Sequence, residues 1–280
     1  MSRTGAALVM TGVLHAAALV LYSVAAVLLA LSLTRRHHVL PLLGTALVAA
    51  GVGVHAAGLT FYLARWGELP LVGLGPSLSA LAFLIAVGSL IVATMARLGP
   101  LGLVLVPVTA LLLGIAQWVG VRPMGEPTTF RGAWFVLHVV LALVGYAGLT
   151  IAFAAGLMYL MQFRELKSKR FGAIFHFFPP LDTLDRVGRR ALLAGFPALT
   201  LALLLGWAWT VSFPEPADPG NPHIFWGILT WVVFVLALLA RAGGGRKGHR
   251  AALASVLGFL LVVLTFLLLR TYVPQGGAFL

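Results

Sequence analysis

The chain has 280 residues, of which 61% are hydrophobic and 9% are charged, and its mean hydropathy is +1.04. A water-soluble domain of this length carries much more charge, so the composition excludes soluble protein classes and predicts an integral membrane protein. We expect the formal net charge of +12 to reflect membrane topology rather than nucleic-acid binding, and the absence of cysteine excludes disulfides and thiolate metal sites.

Apolar runs of about 20 residues, long enough to cross a bilayer core of about 30 Å as helices, recur along the whole chain. The eight runs are residues 5–33, 40–62, 77–95, 101–120, 134–161, 191–213, 224–240 and 251–269. The first run is too long for the apolar segment of a signal peptide, and we expect it to be an uncleaved span. No internal repeat is evident. The fold class predicted is all-α, a polytopic membrane helix bundle with about eight transmembrane helices, forming a single transmembrane domain over residues 1–280.

Cationic side chains are distributed unevenly between the two sides of the predicted membrane. The connections that leave an odd-numbered span hold fourteen lysines and arginines, against five on the other side with the termini included. Lysine and arginine are enriched on the cytoplasmic side of membrane proteins. We therefore expect both termini outside and the two most basic connections, residues 162–190 and 241–250, in the cytoplasm.

Histidines are the only ionisable side chains, apart from tyrosines, inside the first, second and fifth apolar runs. They are His15, His55 and His138, and His223 opens the seventh run. At a rise of about 1.5 Å per residue, all four lie in the outer half of their predicted spans. The remaining histidines fall among arginines in predicted cytoplasmic loops, where we expect solvated side chains: His37, His38, His176 and His249.

An ionisable residue inside a membrane is a functional candidate by default. The structural alternative for each histidine is a hydrogen bond to a neighbouring helix, but the shared depth of the group favours a common ligand. Neutral imidazole binds haem iron and zinc, and helix bundles hold such cofactors between facing helices. Haem fits better than zinc because no carboxylate or thiol accompanies the histidines. We predict non-covalent haem b with His55 and His138 as its axial metal ligands, and His223 and His15 as the next candidates.

Tryptophans cluster near the outer ends of the predicted spans, and none lies in a predicted cytoplasmic loop. An interfacial aromatic belt explains much of this distribution. A belt is normally two-sided, however, and a one-sided set beside histidines also suits a flat porphyrin. The predicted porphyrin neighbours are Trp134, Trp207, Trp209 and Trp226.

Four stretches of the chain carry recognisable motifs. They are HAAGLTFYLARWGELPLVGL at residues 55–74, WFVLHVVLALVGYAGL at 134–149, PPLDTLDRVGRRALLAGFPALTLALLLGWAW at 179–209, and FWGILTWVVF at 225–234 followed by GGRKGHRAA at 244–252. Together they resemble the CcsA/HemX-like cytochrome c assembly family. The similarity extends from about residue 40 to residue 270 and is most specific in the last hundred residues.

The resemblance implies an eight-helix, multi-pass protein of the bacterial cytoplasmic (inner) membrane that handles haem during cytochrome c biogenesis. In that family, outer histidines precede and follow a tryptophan-rich "WWD" loop over which haem is presented. His138 matches the first of these histidines. Residues 214–223, PEPADPGNPH, replace the loop, and Arg270 and Thr271 stand where the second histidine is expected. We therefore expect no enzyme of the haem-lyase type, and place the chain in the HemX or YpjD-like branch.

A second class of function remains open, that of a cofactor-free membrane regulator or scaffold. Such a protein would act through its basic cytoplasmic loops on a soluble partner such as a tetrapyrrole-synthesis enzyme. The haem-handling interpretation instead implies the lipid bilayer and other cytochrome c maturation proteins as partners, with no nucleic acid. A secondary transporter is disfavoured, because ion-coupled transporters usually need a buried carboxylate and the spans contain none.

Overall fold

A computed structural model of the chain describes residues 3–34, 39–95, 98–123, 132–169, 172, 177–212, 222–242 and 247–272. Within these ranges, the side chains of residues 3–4, 209–212, 222–223, 242, 247 and 269–272 are not described. The long helices are α1 Arg3–Thr34, α2 Val39–Trp66, α3 Leu74–Met95, α4 Gly102–Val119, α5 Ala133–Ser168, α6 Leu181–Ser212, α7 Pro222–Ala242 and α8 Lys247–Tyr272. A 3-10 turn, Gly99–Leu101, precedes α4.

Eight helices in the described part of the chain are long and apolar enough to cross a membrane, which confirms the predicted all-helical, polytopic fold. Helix α6 extends well beyond its apolar run, because it begins at Leu181 whereas the run begins at residue 191. The sequence Asp182, Thr183 and Asp185 predicts a helix start leading into the sixth span, and the structure confirms it. The first turns of α6 carry Asp182 and three arginines. These charged residues lie outside the apolar run although their backbone is helical. An acidic residue in the first turn favours this earlier start, because it complements the positive end of the helix dipole.

The amino-terminal unit, Met1–Pro127, contains α1 to α4. Each of these helices packs on the next along the chain, and α4 returns to pack on α1. The central buried side chains include Tyr22, Leu29, Val48, Tyr62 and Leu113. This unit is therefore a closed four-helix arrangement with its own core.

The pairing of α1 with α2 follows a heptad pattern. From Thr11 onward, the buried residues of α1 alternate in steps of four and three: Thr11, His15, Ala18, Tyr22, Ala25, Leu29 and Ser32. Buried residues of α2 follow the same steps: Gly44, Val48, Gly51, His55, Gly58 and Tyr62. A buried repeat of 3.5 residues is the pattern of left-handed coiled-coil packing. The sequence therefore sets a regular seam between two antiparallel helices.

Three glycines of α2, spaced seven residues apart, face three larger residues of α1 at this seam. A Cβ atom on Gly44 would lie 2.9 Å from Leu29 Cγ, and one on Gly51 would lie 2.6 Å from Tyr22 Cε1. A Cβ atom on Gly58 would lie 3.1 Å from Cε1 of His15. Each glycine thus leaves the space that one α1 side chain fills, and His15 occupies one of these positions.

The carboxy-terminal unit, Thr128–Phe279, contains α5 to α8. Helix α5 packs most extensively on α6 and also on α8, while α7 packs on both α6 and α8. Glycines allow the close approach of α5 and α6, because a Cβ atom on Gly148 would lie 3.0 Å from the Cα atom of Gly195. Phe234 of α7 and Leu199 of α6 are fully buried in the core of this unit.

Candidate functional site

Two of the four singled-out histidines meet in the core of the amino-terminal unit. His15 on α1 and His55 on α2 are both 0% exposed. Their ring centroids lie 5.3 Å apart with an angle of 72° between the planes, so the rings are in edge-to-face contact. The contact follows from the heptad seam, because Gly58 leaves room for the His15 ring one turn from His55.

The hydrogen bonds of His15 fix which ring nitrogen carries the proton. His15 Nδ1 lies 2.8 Å from the main-chain oxygen of Thr11, and a carbonyl oxygen accepts hydrogen bonds but cannot donate them. Nδ1 is therefore the donor, and in the neutral ring Nε2 carries a free lone pair. This Nε2 atom is buried and has no hydrogen-bond partner among the described residues. An imidazole whose Nδ1–H bonds a backbone carbonyl is in the form that metal-ligating histidines usually adopt.

His55 is surrounded by hydroxyl and aromatic groups from two neighbouring helices, α1 and α3. Its Nε2 lies 3.0 Å from Ser79 Oγ on α3, and its Nδ1 lies 3.5 Å from the hydroxyl of Tyr22 on α1. The ring of Phe83 packs against it edge-to-face, with centroids 5.4 Å apart. Both hydroxyls are able to donate or accept, so these contacts do not select one tautomer of His55.

The histidine pair of the amino-terminal unit fits a porphyrin poorly as it stands. An axial ligand pair must face each other across a flat macrocycle, whereas His15 and His55 are in direct ring contact. Both rings are also completely shielded from the surface of the unit. One of these histidines could bind a haem iron only if its neighbours moved apart. The described residues contain no group of three or more histidines or carboxylates able to hold a metal ion.

His138 occupies a different environment, in the first turns of α5 in the carboxy-terminal unit. Its Nδ1 lies 2.7 Å from the main-chain oxygen of Ala202 on α6, so Nδ1 is again the donor and Nε2 keeps the lone pair of the neutral ring. Trp134, one turn earlier, donates from Nε1 to the main-chain oxygen of Leu205 at 3.0 Å. Two ring N–H groups of α5 are thus bound to the backbone of α6.

A cavity of about 250 Å³ opens beside this histidine. Its walls are Trp134, Phe135, His138, Leu205 and Gly206. The volume is slightly below the roughly 300 to 1,000 Å³ of typical ligand pockets, so a large flat ligand would be only partly enclosed. The apolar walls suit the edge of a porphyrin, and the oriented imidazole of His138 suits an iron ligand. His138 is only half-buried, so this site needs no opening of a core.

The predicted tryptophan neighbours differ in their surroundings. Trp134 is 46% exposed beside the cavity, and Trp207 is 67% exposed on α6. Trp226 is instead partly buried against the core, where its Nε1 donates to the main-chain oxygen of Val262 and its ring centroid lies 4.7 Å from that of Tyr146. Trp209 lies in α6, but its side chain is outside the description. Of the four, Trp134 has the clearest place at a candidate site.

Several predicted features lie outside the described residues. The side chain of His223 is not described, although its backbone begins α7. Residues 214–221 of the stretch that replaces the WWD loop are likewise outside the description, as are His37, His38 and His176. His249 is described and packs on Phe163 with centroids 4.7 Å apart.

The partners of these histidines are not among the residues predicted from the sequence. Tyr22 and Ser79 contact His55, and Gly206 lies against His138. The heptad spacing of His15 and Tyr22, matched by that of Gly51 and Gly58, would have indicated the Tyr22 contact. No comparable pattern marks Ser79 or Gly206.

Comparison with known proteins identifies related sequences over nearly the whole chain. A family model described as cytochrome C assembly protein matches residues 12–275. The chain is 27% identical over 217 residues to the cytochrome c biogenesis protein CcsA of Chlamydomonas reinhardtii, covering 73% of this chain and 60% of that protein.

Two further proteins with the same description are covered more completely. The chain is 24% identical over 225 residues to CcsA of Guillardia theta, covering 72% of this chain and 75% of that protein. It is 26% identical over 277 residues to CcsA of Gloeothece citriformis, covering 79% of this chain and 84% of that protein. The chain therefore spans less than two thirds of the length of the Chlamydomonas protein and three quarters or more of the other two.

Proposed function

Because the chain belongs to the cytochrome c assembly protein family, we propose that it acts in cytochrome c maturation as a multi-pass membrane protein that holds haem non-covalently. The proposed membrane is the bacterial cytoplasmic membrane, with the histidine-bearing ends of the spans outside. The similarity to proteins named for cytochrome c biogenesis supports the process. The cofactor and its ligands are proposed from the histidine sites.

The observation that carries the haem proposal is the arrangement of His138. Its Nδ1–H donates to the Ala202 carbonyl, which orients the ring and leaves the Nε2 lone pair for iron, and an apolar cavity lies beside it. When bound, the haem would supply an iron centre that takes axial ligands and a porphyrin for transfer to an apocytochrome. Trp134 and Phe135 would shield one edge of the macrocycle from water.

The second axial ligand is proposed to be His55, with His15 and His223 as alternatives. His15 has the free, buried Nε2 atom, while His55 already contacts Ser79 and Tyr22. These contacts would have to be exchanged for a metal bond if His55 binds iron. Comparing variants of the individual histidines separates these possibilities.

We do not propose that this chain by itself attaches haem to an apocytochrome. Residues 214–223 lack the family's tryptophan-rich loop, and Arg270–Thr271 replaces the second outer histidine. Co-expression with a reporter apocytochrome c, in a host without its own maturation system, is expected to give no covalently haem-stained product. A covalent product formed without other factors would show that the loop is dispensable.

An absorption spectrum of protein purified from haem-replete cells tests the main proposal. We expect a Soret band that weakens or shifts in His138→Ala and in His55→Ala. His249→Ala is the control, because the His249 ring packs on Phe163 beside Arg164 and Arg250 and does not line the cavity at His138. Thermal unfolding of each variant separates loss of a ligand from loss of the fold. Identical spectra for all three variants would refute the ligand assignment.

A cofactor-free scaffold or regulator is the second candidate. The observation in its favour is the closed contact between His15 and His55, which a purely structural role also explains. Its partner would be a cytoplasmic protein such as a tetrapyrrole-synthesis enzyme, bound through the basic loops. Absence of a Soret band after purification from haem-replete cells would favour this candidate over haem handling.

A further inference from the structure

The carboxy-terminal unit contains a nearly buried arginine whose hydrogen-bonding capacity is not filled. The side chain of Arg241, at the end of α7, is 10% exposed. Its Nη1 donates to Oδ1 of Asp185 on α6 at 2.5 Å and to the main-chain oxygen of the same residue at 3.1 Å. Its Nε atom is buried without a hydrogen-bond partner among the described residues. One N–H group of the guanidinium therefore has no acceptor among the described residues.

The corner between α6 and α7, formed by Asp185, Gly188, Arg189 and Arg241, has more positive than negative charge. Gly188 makes room for the guanidinium, because a Cβ atom there would lie 2.9 Å from Nη2 of Arg241. Arg189 lies close enough for its charge to oppose that of Arg241. One carboxylate thus faces two guanidinium groups, and the corner is incompletely neutralised.

The same end of the unit carries many further cations. Gly188 lies near Ala155 and Arg241, and Gly248 lies against Tyr159, so the end of α5, the start of α6, the end of α7 and the start of α8 are together. The exposed cations of these segments are Arg164, Lys167, Lys169, Arg186, Arg189, Arg190 and Arg250. The only acids of these described segments besides Asp185 are Glu165 and Asp182.

Exposed leucines lie at nearly the same depth as these cations. Leu193 is 51% exposed and lies one turn beyond Arg189 on the same face of α6. Leu239 is 61% exposed two residues before Arg241 and therefore lies on the opposite side of α7 from that arginine. In a chain that crosses a membrane, such leucines face acyl chains, which places the neighbouring cations at the depth of the headgroups. A ligand for this corner therefore combines a negative headgroup with hydrocarbon chains.

We propose that the corner of Asp185, Gly188, Arg189 and Arg241 is a binding site for an anionic phospholipid. The phosphate accepts from the exposed guanidinium of Arg189 beside the positive charge of Arg241, and an acyl chain lies against Leu193. Clusters of lysine and arginine beside transmembrane helices are a recognised basis for binding anionic lipid. Arginine is well suited to the role because its planar N–H groups match the geometry of a phosphate. This site is independent of the histidines.

Native mass spectrometry of haem-free protein from nanodiscs that contain equal phosphatidylglycerol and phosphatidylcholine tests the proposal. We expect wild type to retain phosphatidylglycerol in several-fold excess, and Arg189→Gln to lose most of that excess. Arg189 is exposed, so this variant is expected to fold, and a thermal unfolding measurement checks it. Arg65→Gln, an exposed arginine of α2 in the other unit, is the matched control and should retain the wild-type preference.

Three outcomes overturn the proposal. Equal retention of the two lipids by wild type, or an unchanged preference in Arg189→Gln, would show that the corner does not select a headgroup. A competition arm distinguishes a lipid from a free anion: millimolar inorganic phosphate should leave the bound phosphatidylglycerol in place. Complete displacement by phosphate would show a simple anion site. Because no haem is present in the experiment, its result is separate from that of the proposed function.

Discussion

The imidazole of His138 fills the space that a side chain on Gly206 would need. A Cβ atom on Gly206 would lie 2.8 Å from Cε1 and 3.2 Å from Nδ1 of the ring. The bond from Nδ1 to the Ala202 carbonyl, one turn earlier on α6, depends on this close approach. Gly206 therefore positions the histidine, because it has no side chain and leaves room for the ring. The acceptor is a backbone oxygen, so no substitution at Ala202 removes it.

Replacing Gly206 by alanine is expected to push the His138 ring away from α6 and weaken its bond to Ala202. Under the proposed function, haem retention falls and the Soret band shifts, although alanine has the higher helix propensity. The same substitution at Gly53, where a Cβ atom meets nothing within 4 Å, is the control. A Gly206→Ala spectrum and haem content equal to those of wild type would contradict this role.

Replacing Gly51 by alanine is expected to destabilise the amino-terminal unit. The new Cβ atom would lie 2.6 Å from Cε1 of Tyr22, a fully buried ring with little room to move. Overpacking of this kind costs about 1–3 kcal/mol of the free energy of unfolding. Gly53→Ala, two residues along the same helix, should instead leave the apparent Tm unchanged or raise it. Equal apparent Tm values for the two variants would refute the seam as described.

Removing the hydroxyl of Ser79 is expected to destabilise the protein more than removing that of Tyr22. Ser79 Oγ lies 3.0 Å from His55 Nε2, whereas the Tyr22 hydroxyl lies 3.5 Å from Nδ1, which is long for a hydrogen bond. Leaving a buried nitrogen without its partner costs about 1–3 kcal/mol. Ser79→Ala should therefore lower the apparent Tm clearly and Tyr22→Phe only slightly. The opposite order would show that the long contact is the stronger one.

Replacing Asp185 by asparagine is expected to weaken the attachment of α7 to α6. Arg241 would keep its main-chain acceptor but lose the carboxylate that faces its nearly buried charge. Asp185 is 35% exposed, so water compensates in part, and we expect a loss of about 1–3 kcal/mol. The exposed Asp182→Asn, on the same helix, should change the apparent Tm little. A similar loss in both variants would point to a general charge effect.

Single cysteines test the predicted orientation, since the native chain has none. Ser168→Cys, at the end of α5, should resist an impermeant thiol reagent in intact cells and react in inverted vesicles. Gly132→Cys, just before α5, should show the reverse pattern. Both positions are exposed, and Gly132 has open space around it. Labelling of Ser168→Cys from outside would reverse the assigned topology.

The eight spans were accessible from the sequence for a simple physical reason. A helix that crosses hydrocarbon satisfies its own backbone hydrogen bonds, so apolar length alone indicates it. Apolar length does not indicate the start of α6, because arginines precede the apolar run there; Asp182, Thr183 and Asp185 predict that start instead. His138 could be singled out because an ionisable residue is rare inside an apolar run. The predicted pairing of His138 with His55 remains a proposal.

Only the tertiary structure decided what each histidine contacts. The contact of His15 with His55 depends on the register of α1 against α2. Gly51 and Gly58 set this register, because they have no side chains and leave room for Tyr22 and His15. The partner of His138 is a backbone carbonyl, which every residue type possesses and no motif marks. Residue identity therefore determined which groups enter the membrane, and the packing of neighbouring helices determined which lone pairs remain free.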